Sequence, residues 1–279
     1  MADEGEGRSE AKRPFPRFVA DRPHLVEDAE TALRLGKHVL LRGPTGSGKT
    51  RLAETLAERL ELDMESVNCS VDLDMEALLG YRTLGLAEGK TVVEYVEGPV
   101  VRAMRLGRML YIDELNVARP EVLPILHGAL DHRRRLTNPL TADVIVAHPN
   151  FCVVAAMNEG YAGTSPLNEA LLNRFVVFDV PYVQGDALAE LIREATPSST
   201  LSDAVVDRFV RLSADLVRAS DVGELPPEAA SIRALLDACD LCAHMPAMRA
   251  VRYAIAGKLS DPREQDLVME IAASYFGDA

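Results

Sequence analysis

Tryptophan is absent from this sequence, and aromatic residues together make up only 5% of it. Base-stacking platforms, which need several exposed rings, are therefore scarce. Basic charge is also short: 30 Lys and Arg stand against 43 Asp and Glu, for a formal net charge of −13. Proteins that hold a phosphate backbone cluster Lys and Arg, so this balance argues against nucleic acid as the main partner. It leaves room for a local basic patch. No run of about 18 apolar residues occurs, so no membrane insertion is expected. Residues 1–17 carry no apolar stretch of the kind an export signal needs. The cysteines, Cys69, Cys152, Cys239 and Cys242, are too few for a secreted disulfide framework. A reducing, cytoplasmic setting is the expectation.

What is present is an ordinary globular composition, 48% hydrophobic and 26% charged over 279 residues. A chain of that length buries a sizeable core without disulfide or metal staples, as one large domain or two modest ones. Residues 1–17 mix Gly, Pro and both charge signs with few apolar groups, which predicts a flexible arm. Within residues 18–183, short apolar runs at 38–41, 64–68, 109–112, 151–157 and 175–180 alternate with helical patterns. A helix is expected over 49–62, because Leu52, Leu56 and Leu60 share one face and Glu54 and Glu58 lie off it. Such alternation implies an α/β core with a parallel sheet flanked by helices. Residues 184–279 read as helix after helix, broken by Pro-containing turns, which predicts a small all-helical domain.

The run Gly43-Pro44-Thr45-Gly46-Ser47-Gly48-Lys49-Thr50 fits the phosphate-loop pattern G-x-x-x-x-G-K-[ST]. Each part has its own reason. Glycines let backbone N–H groups turn inward without a Cβ in the way. The following helix aims its positive end at the phosphates. Lys49 is expected to reach the β- and γ-phosphates, and Thr50 to place its hydroxyl on Mg²⁺. The run also sits where it must, after a predicted strand and opening a predicted helix. The second half of such a site is supplied by residues 109–114, an apolar strand ending in two carboxylates. Asp113 would hold Mg²⁺ beside Thr50, and Glu114 would polarise an attacking water.

Two other features are weighed and mostly set aside. Cys239 and Cys242, with His244, form a single pair inside an apolar helical run, so core packing is favoured over zinc. The run Arg133-Arg134-Arg135 reads as a solvated helix end or a subunit-contact patch, with nucleic acid the less favoured use.

Taken together, these motifs resemble the AAA+ ATPases and, within them, the MoxR group, from about residue 20 to the C-terminus. Glu97-Gly98-Pro99-Val100 leading into Asp113-Glu114-Leu115-Asn116 is similar to that group's approach to Walker B. Ala147-His148-Pro149-Asn150-Phe151 and Met157-Asn158-Glu159-Gly160-Tyr161 resemble the CbbQ and NorQ branch, and Tyr161-Ala162-Gly163 resembles the gas-vesicle ATPase GvpN. The resemblance implies roles for further residues. Asn158 would be sensor 1, Arg174 an arginine finger acting on the neighbouring subunit, and Arg233 sensor 2. The lid also offers Arg211, Arg218, Arg249 and Arg252 for that last role. Asn68 would be a switch residue or a plain strand end. Residues 73–83 are similar to an insert lining the family's central pore, or else form an ordinary core helix; residues 135–147 are similar to the hairpin before sensor 1.

The fold implied is a P-loop core with a helical lid, binding ATP and Mg²⁺ in a homo-hexameric ring. The function implied is remodelling, assembly or activation of a protein client, with a von Willebrand factor A domain protein as adaptor. Gas-vesicle assembly is the alternative, a nucleic-acid motor a less favoured one, and a nucleotide-gated scaffold with little turnover a third.

Overall fold

A computed structural model describes residues 18–277 apart from 20, 21, 23, 71, 88, 89, 120, 159–166, 168 and 197–200. The arm expected over 1–17 and the Tyr161-Ala162-Gly163 run lie outside the described residues. The first part of the chain runs α1 (Leu25–Arg34), β1 (His38–Gly43), α2 (Lys49–Arg59), β2 (Met64–Asn68), α3 (Met75–Leu79), β3 (Gly80–Ala87) and β4 (Lys90–Glu97). It continues through α4 (Pro99–Leu106), β5 (Met109–Asp113), α5 (Leu123–Leu130), β6 (Arg135–Thr137), β7 (Val144–Val146), β8 (Cys152–Asn158), α6 (Glu169–Leu172) and β9 (Phe175–Asp179). Five helices follow: α7 (Gly185–Ala195), α8 (Asp203–Asp221), α9 (Ile232–Cys242), α10 (Ala247–Ala254) and α11 (Pro262–Phe276). Among the described residues no helix is long and apolar enough to cross a membrane.

The main sheet has the order β2-β5-β8-β1-β9, and every pairing in it is parallel. Side chains on its central strands alternate between two buried layers. Leu40, Leu110, Ile112, Val153 and Ala155 pack on one face with α4 and α5. Val39, Leu41, Met109, Tyr111, Val154 and Ala156 pack on the other with α1 and α2. Burial on both faces explains why these strands read as continuous apolar runs. The C-terminal helices close a third core of their own around Phe209, Leu212, Leu216, Leu235, Val251 and Phe276.

Helix α2 stops at Arg59, short of the expected Leu62. Glu61 turns left-handed with φ +55°, its N–H donates to the Glu58 carbonyl, and the Leu62 N–H donates to the Ala57 carbonyl. That pair of hydrogen bonds is a Schellman ending made without glycine. A second difference is larger. Residues 73–83 hold only a one-turn helix, α3, before β3 and β4 form an antiparallel ribbon. Leu78 and Leu79 of α3 are fully buried, so that helix belongs to the core. Leu84, Leu86 and Val93 of the ribbon are 73%, 79% and 66% exposed on one face. Its base is pinned where the Tyr95 hydroxyl donates to the Leu79 carbonyl (2.6 Å) and accepts from Asn138 Nδ2 (2.7 Å).

The hairpin expected over 135–147 is formed by β6 and β7. Arg134 is not a solvated member of a basic run. Its guanidinium donates to the carbonyls of His148, Pro149 and Phe151, tying this hairpin to the start of β8. Cys239 is buried in α9, and among the described residues no group of three or more His, Cys, Asp and Glu suits a metal. Burial pushes the Cys69 and Cys152 thiols up to about 12, which leaves them inert.

His38 begins β1 inside the core, and its Nδ1 accepts the Val153 N–H at 3.1 Å. Burial, and then the Arg134 charge, lower its pKa from 6.5 to about 4. The unfolded chain takes up this proton first, so the stability is complete above pH 6.5 and is lost as pH falls toward 4. Denaturant unfolding at pH 8 and pH 5 should show His38 contributing a loss of about 2 kcal/mol. His38→Gln, which keeps an acceptor without the titration, should remove that part of the pH dependence; an unchanged slope would refute the assignment.

Candidate active site

The loop residues 45–48, which follow β1, and the first turns of α2 form the floor of a cavity of about 790 Å³. Thr45, Gly46, Ser47, Gly48, Lys49 and Thr50 line it from below, and Asp113, Glu114 and Asn158 line it from the ends of β5 and β8. Val183, Leu191, Ile232, Arg233 and Leu236 close it from the helical side, and Phe18 and Val19 reach it from the start of the described chain. The sheet register explains the gathering. Gly43 pairs with Asn158, and Asp113 follows Ile112, which pairs with Ala155, so β5 ends two positions behind that pair on the same side of the sheet.

Inside the loop the backbone is set for an anion. Gly46 and Gly48 have φ of +77° and +92°, and their N–H groups make no backbone hydrogen bond among the described residues. The Ser47 hydroxyl is buried with no partner among the described residues. A buried polar atom left unsatisfied is costly, so this loop carries unused donor capacity. Lys49 is nearly buried, and its Nζ donates to the carbonyls of Gly43 (3.0 Å) and Pro44 (2.7 Å). Gly43 and Pro44 do not line the cavity. Gly43 is required for packing, since a Cβ there would stand 2.2 Å from the Val180 carbonyl oxygen.

Three oxygens meet beside Lys49. Thr50 Oγ1 donates to Asp113 Oδ2 at 3.4 Å and accepts the Tyr111 hydroxyl at 3.1 Å. Burial, with the Asp113 charge next, pushes the Tyr111 phenol well above its usual range, so it stays a donor. Glu114 sits at φ +53°, a left-handed position that costs a non-glycine residue about 1–2 kcal/mol. Its N–H is held by Asp113 Oδ1 at 3.0 Å. Asn158 Nδ2 donates to Glu114 Oε1 at 3.5 Å, while buried Asn116 donates to the Asn158 carbonyl at 2.9 Å.

The donor set suits Mg²⁺ carried by a nucleotide. Thr50 and Asp113 would supply two hard oxygens of the kind Mg²⁺ takes.

Arg233 is the lid arginine on the cavity. Arg211 and Arg218 pair with Asp207 and Asp215, and neither they nor Arg249 and Arg252 line it. Arg174 does not line it either. That side chain donates to the Ala170 carbonyl and lies 3.9 Å from Asp131, half-buried at 30% exposure. Asn68 is exposed at the end of β2, opposite Asp113. Sequence reasoning missed Phe18, Val19 and Tyr111. Tyr111 was findable, since period two places it on the same strand face as Asp113.

A parallel sheet with a phosphate loop after β1, two carboxylates at the end of β5 on the far side of β8, and a helical lid defines an AAA+ ATPase. Residues 38–175 match the family described as AAA domain, dynein-related subfamily. The uncharacterized protein YojN of Bacillus subtilis is 51% identical over 259 residues, covering 93% of this chain and 84% of that one. An uncharacterized protein of Staphylococcus aureus strain USA300 is 52% identical over 253 residues, covering 90% and 95%. The chain belongs to this family of AAA+ proteins, and it is an ATP hydrolase. Two solved structures share the fold at 20% identity. One is a mutant of Thermotoga maritima RuvB, with a TM-score of 0.55 over 93% of this chain and 73% of that one. The other is a candidate ATPase of Cytophaga hutchinsonii, with 0.52 over 92% and 82%.

A Cβ on Gly46 would lie 2.3 Å from Ser231 Oγ, so Gly46→Ala meets both a left-handed φ and a clash with the lid. The substitution should cost about 1–2 kcal/mol in denaturant unfolding. Ser231→Gly should recover the steric share but not the backbone share; strict additivity of the two would count against the contact.

Proposed function

We propose that this chain is a MoxR-like AAA+ ATPase that couples ATP binding and hydrolysis to remodelling or activating a partner protein. One observation carries the reading: Lys49, Thr50, Asp113, Glu114, Asn158 and Arg233 meet on one cavity while Arg174 stands apart from it. Loop amides and Lys49 bind the phosphates, Lys49 exchanging its carbonyl partners for phosphate oxygens. Thr50 and Asp113 would hold Mg²⁺, which when bound would supply charge neutralisation at the phosphates. Glu114 takes a proton from the attacking water, and Asn158 orients Glu114 and that water. Arg233 reaches the phosphates from the lid.

Arg174 acts on the neighbouring subunit's site, which makes a homo-hexameric ring the working form. The exposed ribbon of β3 and β4 and the β6–β7 hairpin then offer surfaces to a protein client, directly or through a von Willebrand factor A domain adaptor. The net charge of −13 favours a protein over a nucleic acid here.

Glu114→Gln should keep nucleotide binding and lower turnover by about 10²–10⁴. Unchanged turnover would remove the catalytic role and leave a nucleotide-gated scaffold. Arg174→Ala should also bind nucleotide but lose about 10³–10⁵ in rate. Mixing it with Lys49→Ala subunits should restore activity at hybrid interfaces. Confirmed hybrid rings without any recovery would end the trans assignment. Recovery of the Glu114→Gln chain from cells with ATP, with its client identified by mass, tests the remodelling role; co-purifying DNA in place of protein would overturn it.

A further inference from the structure

The phosphate loop and the lid are joined by one side chain that the catalytic reading does not use. Tyr182 lies in the stretch between β9 and α7, where the sheet hands over to the helices. Its ring is packed in the helical core and only 7% exposed. Its hydroxyl donates to the Thr45 carbonyl at 3.0 Å, and it lies equally in range of the Pro227 carbonyl at 2.8 Å. Thr45 belongs to the phosphate loop, and Pro227 opens the short 3₁₀ turn that leads through Ser231 to Arg233. Burial, and then the Glu228 and Asp221 charges, push this phenol well above its usual range, so it keeps its proton.

The geometry at Thr45 has a direct effect on anion binding. A trans peptide holds C=O and the next N–H on opposite sides of one plane. Holding the Thr45 carbonyl toward Tyr182 therefore turns the Gly46 N–H away from it, fixing the direction of a loop donor. Glycine at 46, with φ +77°, is free to let that plane rotate otherwise. On the lid side the path is short and stiff. The Ala229 N–H donates to the Pro226 carbonyl, Ser231 to Glu228, and Leu235 to Ser231. Ser231 also stands directly against Gly46. A phenol has one proton, and here it faces two carbonyls that belong to different parts of the molecule.

We propose that Tyr182 is a positioning residue that couples the orientation of the Thr45–Gly46 peptide to the placement of Arg233. The proposal rests on the cavity being the ATP site. Moving the lid changes which carbonyl holds the proton, and so changes how firmly the loop presents its Gly46 donor. The loop donor and the lid arginine are thus prepared together.

Tyr182→Phe keeps the ring and its packing and removes only the hydroxyl. Hydrogen exchange on the nucleotide-free chain should rise at residues 45–48 and at 227–233 together, while exchange in α8 and α11 stays unchanged. Calorimetric binding of ADP should weaken by about 3- to 10-fold, as for loss of one buried hydrogen bond. Arg233→Ala should then cost at least ~3-fold less affinity in the Tyr182→Phe background than in the wild type, the mark of coupled groups. Independent effects of the two substitutions, or faster exchange in only one of the two segments, would overturn the proposal. Should the wild-type chain bind no ADP, the reading of the cavity falls, and the exchange result still decides whether Tyr182 couples the two segments.

Discussion

Strand β1 is hydrogen-bonded in parallel on both sides, to β8 and to β9, and the cavity is a consequence of that pairing. The register sets Gly43 and Asn158 at one level, with Asp113 two positions behind on β5. Ligands in open α/β sheets lie outside the carboxyl ends of the strands for this reason. At the same edge β9 turns away into the lid, and Gly43 allows Val180 to pass at a distance no side chain permits. The loop, the carboxylates and the lid hinge are therefore placed by the same set of backbone hydrogen bonds.

Electrostatics work locally and against the sign of the whole molecule. The chain is strongly acidic, yet the loop gathers Lys49, the amides of Gly46 and Gly48 and the start of α2, with Arg233 facing them from above. Asp113 and Glu114 lie on one wall of the cavity, where Thr50 and Asn158 engage them by hydrogen bonds. One of the left-handed non-glycine residues lies at the same place. Glu114 accepts a left-handed backbone because Asp113 holds its N–H, and that turn aims its carboxylate at Asn158.

Much of this was legible in the sequence. The central strands β1, β5 and β8 declared themselves because burial on both faces leaves continuous apolar runs, and the loop declared itself by residue type and spacing. Arg233 could not be told from the other lid arginines by pattern alone, because only the packing of α9 puts it on the cavity. The end of α2 was misplaced since Glu61 does a turn's work usually given to glycine. The β3–β4 ribbon was unread for a different reason. It packs on no core, so its apolar residues follow no burial pattern that could announce a strand. Arg134 looked like surface charge, because the carbonyls it holds are 14 to 17 residues away in sequence.

That ribbon has a colloidal consequence. A sheet two strands wide has two edges with unpaired backbone groups, and here one face is also greasy with Leu84, Leu86 and Val93. Such an element is a template for sticking to copies of itself. The surplus of negative charge is then a solubility device, holding free chains apart by repulsion while the ribbon stays uncovered. Salt screens that repulsion and leaves the apolar attraction in force, so ionic strength sets the balance between dispersed chains and clustered ones.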